Sequence, residues 1–308
     1  MAAEIRFPSM GSEAHVVVTG DPRLLRMARA RIEELERRWS RFVPTSEISF
    51  LNSHRGAPHP VSPDTFQLVD RAIRGWRATG GRFDPTILGD LIREGYDRPF
   101  QAVALDPGSG VSVLRRNAGG IRTDAEAQTI ELPSDAGFDP GGLGKGLGAD
   151  IVVEELLAAG AEGACVNLGG DLRVEGVGPD HGRWLISVDH PTEPRPAALV
   201  ALAAGGVATS TSLKRAWTVG RRRRHHLIDP ETGHSLQSPA VAVTALARDA
   251  ASAEIATKNA LLADAGSELA ALEELGSDGL IVTGDGGVEM TAGTTRFLID
   301  ETKGGDAA

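Results

Sequence analysis

The chain has 308 residues, enough to bury a sizeable core, and its 32 Lys and Arg against 42 Asp and Glu leave a net charge of −10. That balance disfavours a general attraction to nucleic acid or to an anionic membrane surface. No apolar run approaches the roughly 20 residues of a bilayer span, and the amino terminus lacks the basic start and apolar centre of a secretion signal, so a cytoplasmic protein without nucleic-acid partner or membrane insertion is expected.

AHVVVTG reads as the first strand, and DPRLLRMARARIEELERRW as the first helix, with Asp21 as N-cap and Pro22 at the first helical position. Leu25, Ala28, Ile32, Leu35 and Trp39 recur at spacings of three and four and so share one helix face. A second amphipathic helix is predicted from Ser62-Pro63, with Phe66, Val69, Ile73 and Trp76 on its stripe and a stop at Gly80-Gly81. A helix follows Gly146 and ends near Gly160, and GACVNLGGDLRVEGVG then reads as strand, turn, strand. The single cysteine, Cys165, sits in that apolar run, which excludes an intrachain disulfide and predicts a buried structural thiol.

Further strands are expected at RWLISVDH, AALVALAAG, HHLIDP and AVAVTALA, with the run Arg221 to Arg224 as a solvated hairpin tip. Helices over about 250–263 and 266–275 precede a last hairpin, GLIVTGDGGVEMT, turned at Gly284-Asp285-Gly286-Gly287. The tail 301–308 is predicted to be disordered, and residues 1–300 to form one α+β domain of intertwined elements, antiparallel sheets with packed helices.

Three clusters could carry chemistry. In FDPGGLGKGLGAD, residues 138–150, glycines let a ligand approach the backbone, a helix start offers free N–H groups to an anion, and Lys145 adds charge. The segment is neither a Walker A loop nor a dinucleotide fingerprint, and alone it reads as a glycine-rich connector. In HHLIDPETGHS a histidine lies three residues before an aspartate, which suits a general base at a strand end; from these residues alone a surface histidine beside a turn is the plainer reading. GRFDPTILGD and VNLGGDLRV place Asp or Asn beside Gly or Pro at element boundaries, where turn geometry alone also favours them.

Seven segments taken together, in chain order, resemble the ApbE-type flavin transferases, the FAD:protein FMN transferases: MGS at Met10 to Ser12, SRFVPTSEISFLN, GRFDPTILGDL, FDPGGLGKGLGAD, VNLGGDLRV, VATSTS and HHLIDPETG. The resemblance implies a two-lobed, T-fold-like architecture. It also implies Mg2+-assisted transfer of the FMN half of FAD to a threonine hydroxyl of a partner flavoprotein, with release of AMP. It assigns Met10, Phe42, Arg82, Phe83, Asp84, Asp139, Lys145 and Ile228 to the FAD pocket and His226 to proton abstraction from the threonine. Gly142 is the implied backbone-carbonyl ligand of the metal.

The remaining metal ligands of the family lie in a segment resembling ADALATALFVLG, an aspartate and a threonine four residues on. Aligning the apolar residues sets AEIATKNALLAD there, with Glu254 for the aspartate and Lys258 for the threonine; a register that keeps Thr257 as the threonine puts Ala253 at the aspartate and loses the carboxylate. The first register is preferred because it keeps both the carboxylate and the apolar match. A lysine at i+4 is placed to pair with Glu254 and to compete with a divalent ion. Thr211 and SLKRAW replace a glycine and aromatic residues usual after ATS. These departures keep two further readings open, a non-catalytic FAD-binding or storage protein and a Mg2+-dependent FAD pyrophosphatase.

Overall fold

In the computed structural model, which describes residues 1–103 and 110–299, eight strands form one sheet whose spatial order follows the chain. They are Ala2–Ser9, Ser12–Thr19, Gly163–Leu168, Asp171–Gly176, Gly205–Thr211, Ala240–Ala247, Asp278–Thr283 and Val288–Met290. Every neighbouring pair is antiparallel. The architecture is α+β, as expected; the predicted tail lies outside the described residues. The strand Ala2–Ser9, unmarked in the sequence reading, takes the sheet edge, where Pro8 costs no ladder bond to a further neighbour.

Alternation with period two gives the sheet two apolar faces. Ala164, Val166 and Leu168 enter one core with the first two long helices, while Cys165 turns to the other face. Val207, Ala242, Leu246, Leu280 and Val282 meet the strands Trp184–Val188 and Ala198–Leu202 on that second face. Those two strands pair as a separate ribbon and do not join the main sheet. Ala208, Val243 and Ala245 face the helix Ala250–Leu261. Cys165 is half-buried instead of fully buried; burial still pushes its thiol up to about 12, so it is no thiolate near neutrality.

Two long helices follow the predicted stripes. The first runs Leu24–Trp39 and buries Ala28, Ile32, Leu35 and Trp39. It starts later than predicted: Asp21 is not its N-cap, because its carboxylate accepts from the Arg23 N–H and holds Pro22 and Arg23 in a preceding turn. Ser62 does cap the helix Pro63–Ala78, accepting from Thr65 N–H with Pro63 in the first turn. The helix Gly144–Ala158 begins before Gly146, which takes Lys145 into its first turn. The later helices are Ala250–Leu261, capped by Asp249, and Glu268–Glu274. Among the described residues no helix is long and apolar enough to cross a membrane.

HHLIDP departs from the predicted strand. The hairpin strands are Ala216–Val219 and Arg222–His225, and beyond His225 only Ile228 makes an isolated bridge, to Ser235. Arg221, Arg222 and Arg223 are exposed as expected of a solvated tip, but Arg224 turns inward onto the buried Glu94. Glu94 also accepts from Ser235 Oγ at 3.0 Å, and its backbone carbonyl accepts from Trp217 Nε1 at 2.8 Å. This anchor fixes the hairpin from which the His225-His226 pair leaves.

Candidate active site

A cleft of about 450 Å³ opens between the helix starts and the segment after the hairpin. Its lining brings together Met10, Phe42, Arg82, Phe83, Asp84, Asp139, Gly142, Lys145, His226, Ile228 and Lys258 from segments up to 248 positions apart (258 − 10). Glu254 and Thr257, both fully buried, stand behind this wall and do not line it.

Met10 reaches the cleft from a tight turn between the first two strands. Met10 and Gly11 both have positive φ, 49° and 66°, the conformation that a two-residue hairpin turn demands. Two FDP triplets build the opposite side. Asp84 Oδ1 accepts from Thr86 N–H at 2.7 Å, and Asp139 Oδ1 accepts from Gly141 N–H at 2.7 Å. The triplets are stitched together where Asp139 N–H donates to Pro85 O at 2.8 Å. Burial raises the Asp84 carboxyl above its ordinary value, against the hydrogen bonds from Thr86.

Arg41, which the sequence reading passed over beside Phe42, organises this side. Its Nε lies 2.6 Å from Asp139 Oδ2, and its guanidinium stacks over the rings of Phe42 and Tyr96. Phe42, Tyr96 and Trp217 continue as a tilted aromatic series with Ile228 packed against it. The signal was present in SRF: an arginine next to an aromatic, in a chain with buried FDP carboxylates. Arg82 sits at the outer rim, 3.6 Å from Glu274.

The deep end holds the charges. Glu254 Oε2 accepts from Gly146 N–H at 2.8 Å, and Oε1 lies 3.3 Å from Lys258 Nζ and 3.5 Å from Lys145 Nζ. Lys145 also pairs with Asp171. Burial opposes the ionised form of Glu254, but both ammoniums and the Gly146 N–H outweigh it and hold the carboxyl below its ordinary value. Burial pulls Lys145 down to about 8, against the attraction of Glu254, and lowers Lys258 as well. Thr257 Oγ1 is spent on Ser210 Oγ at 2.7 Å and on the Glu254 carbonyl at 2.8 Å.

His225 and His226 divide their roles. His225 is buried, with Nε2 2.9 Å from Leu236 O and its N–H donating to Ser235 Oγ. His226 is half-buried in the cleft wall and not on the outer surface, and its Nδ1 is buried without a partner among the described residues. Burial lowers its basicity well below the ordinary histidine value, and the charges of Arg215, Lys258, His225 and Lys145 add to this, so the imidazole is neutral near pH 7. Arg215, another residue the sequence reading left without a role, lines the cleft and donates to Gly11 O at 3.3 Å.

These donors do not fit a Mg2+ ion. The carboxylates at the deep end are already paired with cations, Asp171 with Lys145 and Glu254 with two ammoniums, and Asp139 is paired with Arg41; Asp84, elsewhere in the lining, accepts from Thr86. The described residues hold no group of three His, Cys, Asp or Glu that could ligate a metal. An ammonium in place of a hard oxygen donor repels a divalent ion where Mg2+ requires near-ideal octahedral oxygen coordination.

Comparison with known proteins agrees with this architecture. The model of the ApbE family matches residues 10–281. The FAD:protein FMN transferase of Vibrio cholerae serotype O1 is 28% identical over 229 residues, covering 72% of this chain and 68% of the relative. That of Haemophilus influenzae is 27% identical over 263 residues, covering 78% and 74%. The crystal structure of the ApbE protein from Thermotoga maritima superposes with a TM-score of 0.85 at 23% identity, over 97% of this chain and 100% of that one.

Proposed function

The chain belongs to the ApbE family, and from that premise we propose that it is a FAD:protein FMN transferase, moving the FMN half of FAD to a threonine hydroxyl of a partner flavoprotein and releasing AMP. The observation that carries this reading is the meeting, in one cleft, of the His226 imidazole with two half-buried ammonium groups, Lys145 from the glycine-rich helix start and Lys258 from the helix packed against it. The relatives named for this activity are similar to the chain over most of its length.

The division of labour follows from the chemistry of each group. A threonine hydroxyl is a weak nucleophile, and the unprotonated His226 is able to take its proton as it attacks phosphorus. Lys145 and Lys258 offset the charge of a pyrophosphate and of the departing AMP oxygen. Phe42, Tyr96 and Ile228 offer an apolar wall to a flavin ring, and Met10 and Phe83 narrow the cleft beside it. Mg2+ belongs to the activity as the resemblance implies it, but the donor set does not fit the ion and no step is derived through it.

The test is transfer itself. Incubation with FAD and a flavoprotein acceptor should yield a protein band with in-gel flavin fluorescence, and His226→Ala should abolish it while leaving FAD bound. Absence of transfer to any acceptor, with or without Mg2+, would refute the reading.

A further inference from the structure

The two side chains that stand at the family's aspartate and threonine positions, Glu254 and Lys258, are paired with each other. Lys258, one helical turn beyond Glu254, lies 3.3 Å from Oε1 of that carboxylate, and both side chains are largely or wholly buried, at 14% and 0% exposure. Its methylene arm runs past Gly142, the turn whose carbonyl would face the ion: a Cβ built on Gly142 would lie 3.9 Å from Lys258 Cε. The ammonium therefore stands where the ion would have to enter.

Counting charges at this end of the cleft gives the same result. Lys145, Lys258 and Arg215 face Glu254 and Asp171, three cations against two carboxylates, and Arg215 acts electrostatically on both lysines. An arriving divalent cation finds both of these carboxylates paired and a net positive field; an arriving pyrophosphate finds that field favourable. Two buried ammoniums fixed by Glu254 are also preorganised, so they need no reorientation when negative charge develops.

We propose that the Lys258 ammonium, supported by Lys145, supplies the positive charge at the FAD pyrophosphate in this chain, so that binding and transfer proceed without a divalent metal. The inference rests on the transferase reading of the cleft. In the step itself the threonine oxygen bonds to the phosphorus of the FMN half while its proton passes to His226. The bridging P–O bond to AMP breaks with its electron pair going to the AMP oxygen, whose charge Lys258 offsets.

Calorimetric titration of FAD into the EDTA-treated protein, with Mg2+ absent or in excess, tests this. The same samples are scored for AMP release and for flavin transfer to an acceptor. The wild-type protein should bind FAD equally in both conditions. Lys258→Ala should weaken metal-free binding about 10- to 100-fold, the range of one charge-assisted hydrogen bond, whereas Lys258→Arg should retain it. Lys258→Thr should make binding depend on Mg2+. Wild-type binding or AMP release that appears only on return of Mg2+ would overturn the inference and leave the transferase reading standing. Metal-free FAD binding lost in Lys258→Ala, without transfer in any condition, would sink the transferase reading and keep the ammonium's role in binding. Failure to bind FAD at all would overturn both.

Discussion

Arg41 Nε lies 2.6 Å from Asp139 Oδ2, and the two side chains are only 8% and 7% exposed. The same guanidinium donates to Tyr96 O at 3.0 Å and covers the Phe42 ring with its centre 4.1 Å from the centroid. One side chain thus joins the loop after the first helix, the glycine-rich helix start and the aromatic wall. Asp139 is held by this strut, and its shape as a turn-former matters as much as its charge.

Replacing Arg41 by Met leaves the Asp139 carboxylate buried without its counter-ion, and the expected loss of stability is about 3–5 kcal/mol. Urea denaturation measures it. The double variant Arg41→Met with Asp139→Asn removes both charges, keeps a side-chain acceptor for the Gly141 N–H, and should recover much of the loss. A single variant costing less than about 1 kcal/mol, the scale of an exposed pair, would show that the strut bears little load.

The neutral His226 makes a prediction for the rate. Its folded-state value lies well below 6.5, by burial first and then by the charges of Arg215, Lys258, His225 and Lys145, so protonation disables the base only at acid pH. The acid limb of the kcat/KM profile, which reports the free enzyme, should therefore fall below pH 6.5. Arg215→Ala removes one of the depressing charges and should shift that limb upward. A limb at or above 6.5 in the wild-type profile would assign the proton to another group.

Asp150 sets a stability profile of its own. Its two carboxylate oxygens accept from Ala250 N–H at 2.8 Å and Ala251 N–H at 2.9 Å, at the start of the helix Ala250–Leu261. Burial nonetheless pushes the carboxyl from 3.8 up to about 7. The folded state then keeps a proton that the unfolded chain releases. The stability contributed is fully present below the unfolded value of 3.8 and is lost as pH rises through about 7. Asp150→Asn, which does not titrate, should lack this slope; unfolding free energies of both proteins across that window give the difference. Parallel profiles would place the carboxyl at an ordinary value.

Periodicity made the long helices legible, because an apolar stripe at spacings of three and four reports burial directly, as Ala28, Ile32, Leu35 and Trp39 show. HHLIDP misled because local alternation says nothing about a partner: after His225 the chain is held by Ser235 and Leu236, ten or more residues on. The residues of the cleft were visible one by one. Their pairings were not, since Lys145 meets Asp171 and Glu254 across 26 and 109 positions and only the packing of its helix on the sheet and on a second helix brings them together. Lys258 beside Glu254 was the exception, a contact that i,i+4 geometry alone predicts.

Gly146 shows how a motif can be read for the wrong reason. In sequence the glycines of FDPGGLGKGLGAD suggest room for a ligand, yet a Cβ on Gly146 would stand 2.6 Å from Ala250 O and 2.9 Å from Ala251 N. Both neighbours are backbone of the adjacent helix start and cannot rotate away, so the glycine permits the two helices to touch. That contact delivers the Gly146 N–H to Glu254 at 2.8 Å and so sets the distance between Glu254 and Lys145. Gly146→Ala should destabilise the protein by about 1–3 kcal/mol through overpacking and should weaken FAD binding by spreading the charge cluster. Gly160→Ala is a control without that neighbour: nothing lies within 4 Å of its Cβ, and its cost comes from a φ of +96° alone. Loss of stability in both variants with loss of FAD affinity only in Gly146→Ala is the expected pattern. Unchanged affinity in Gly146→Ala would detach the helix contact from the site.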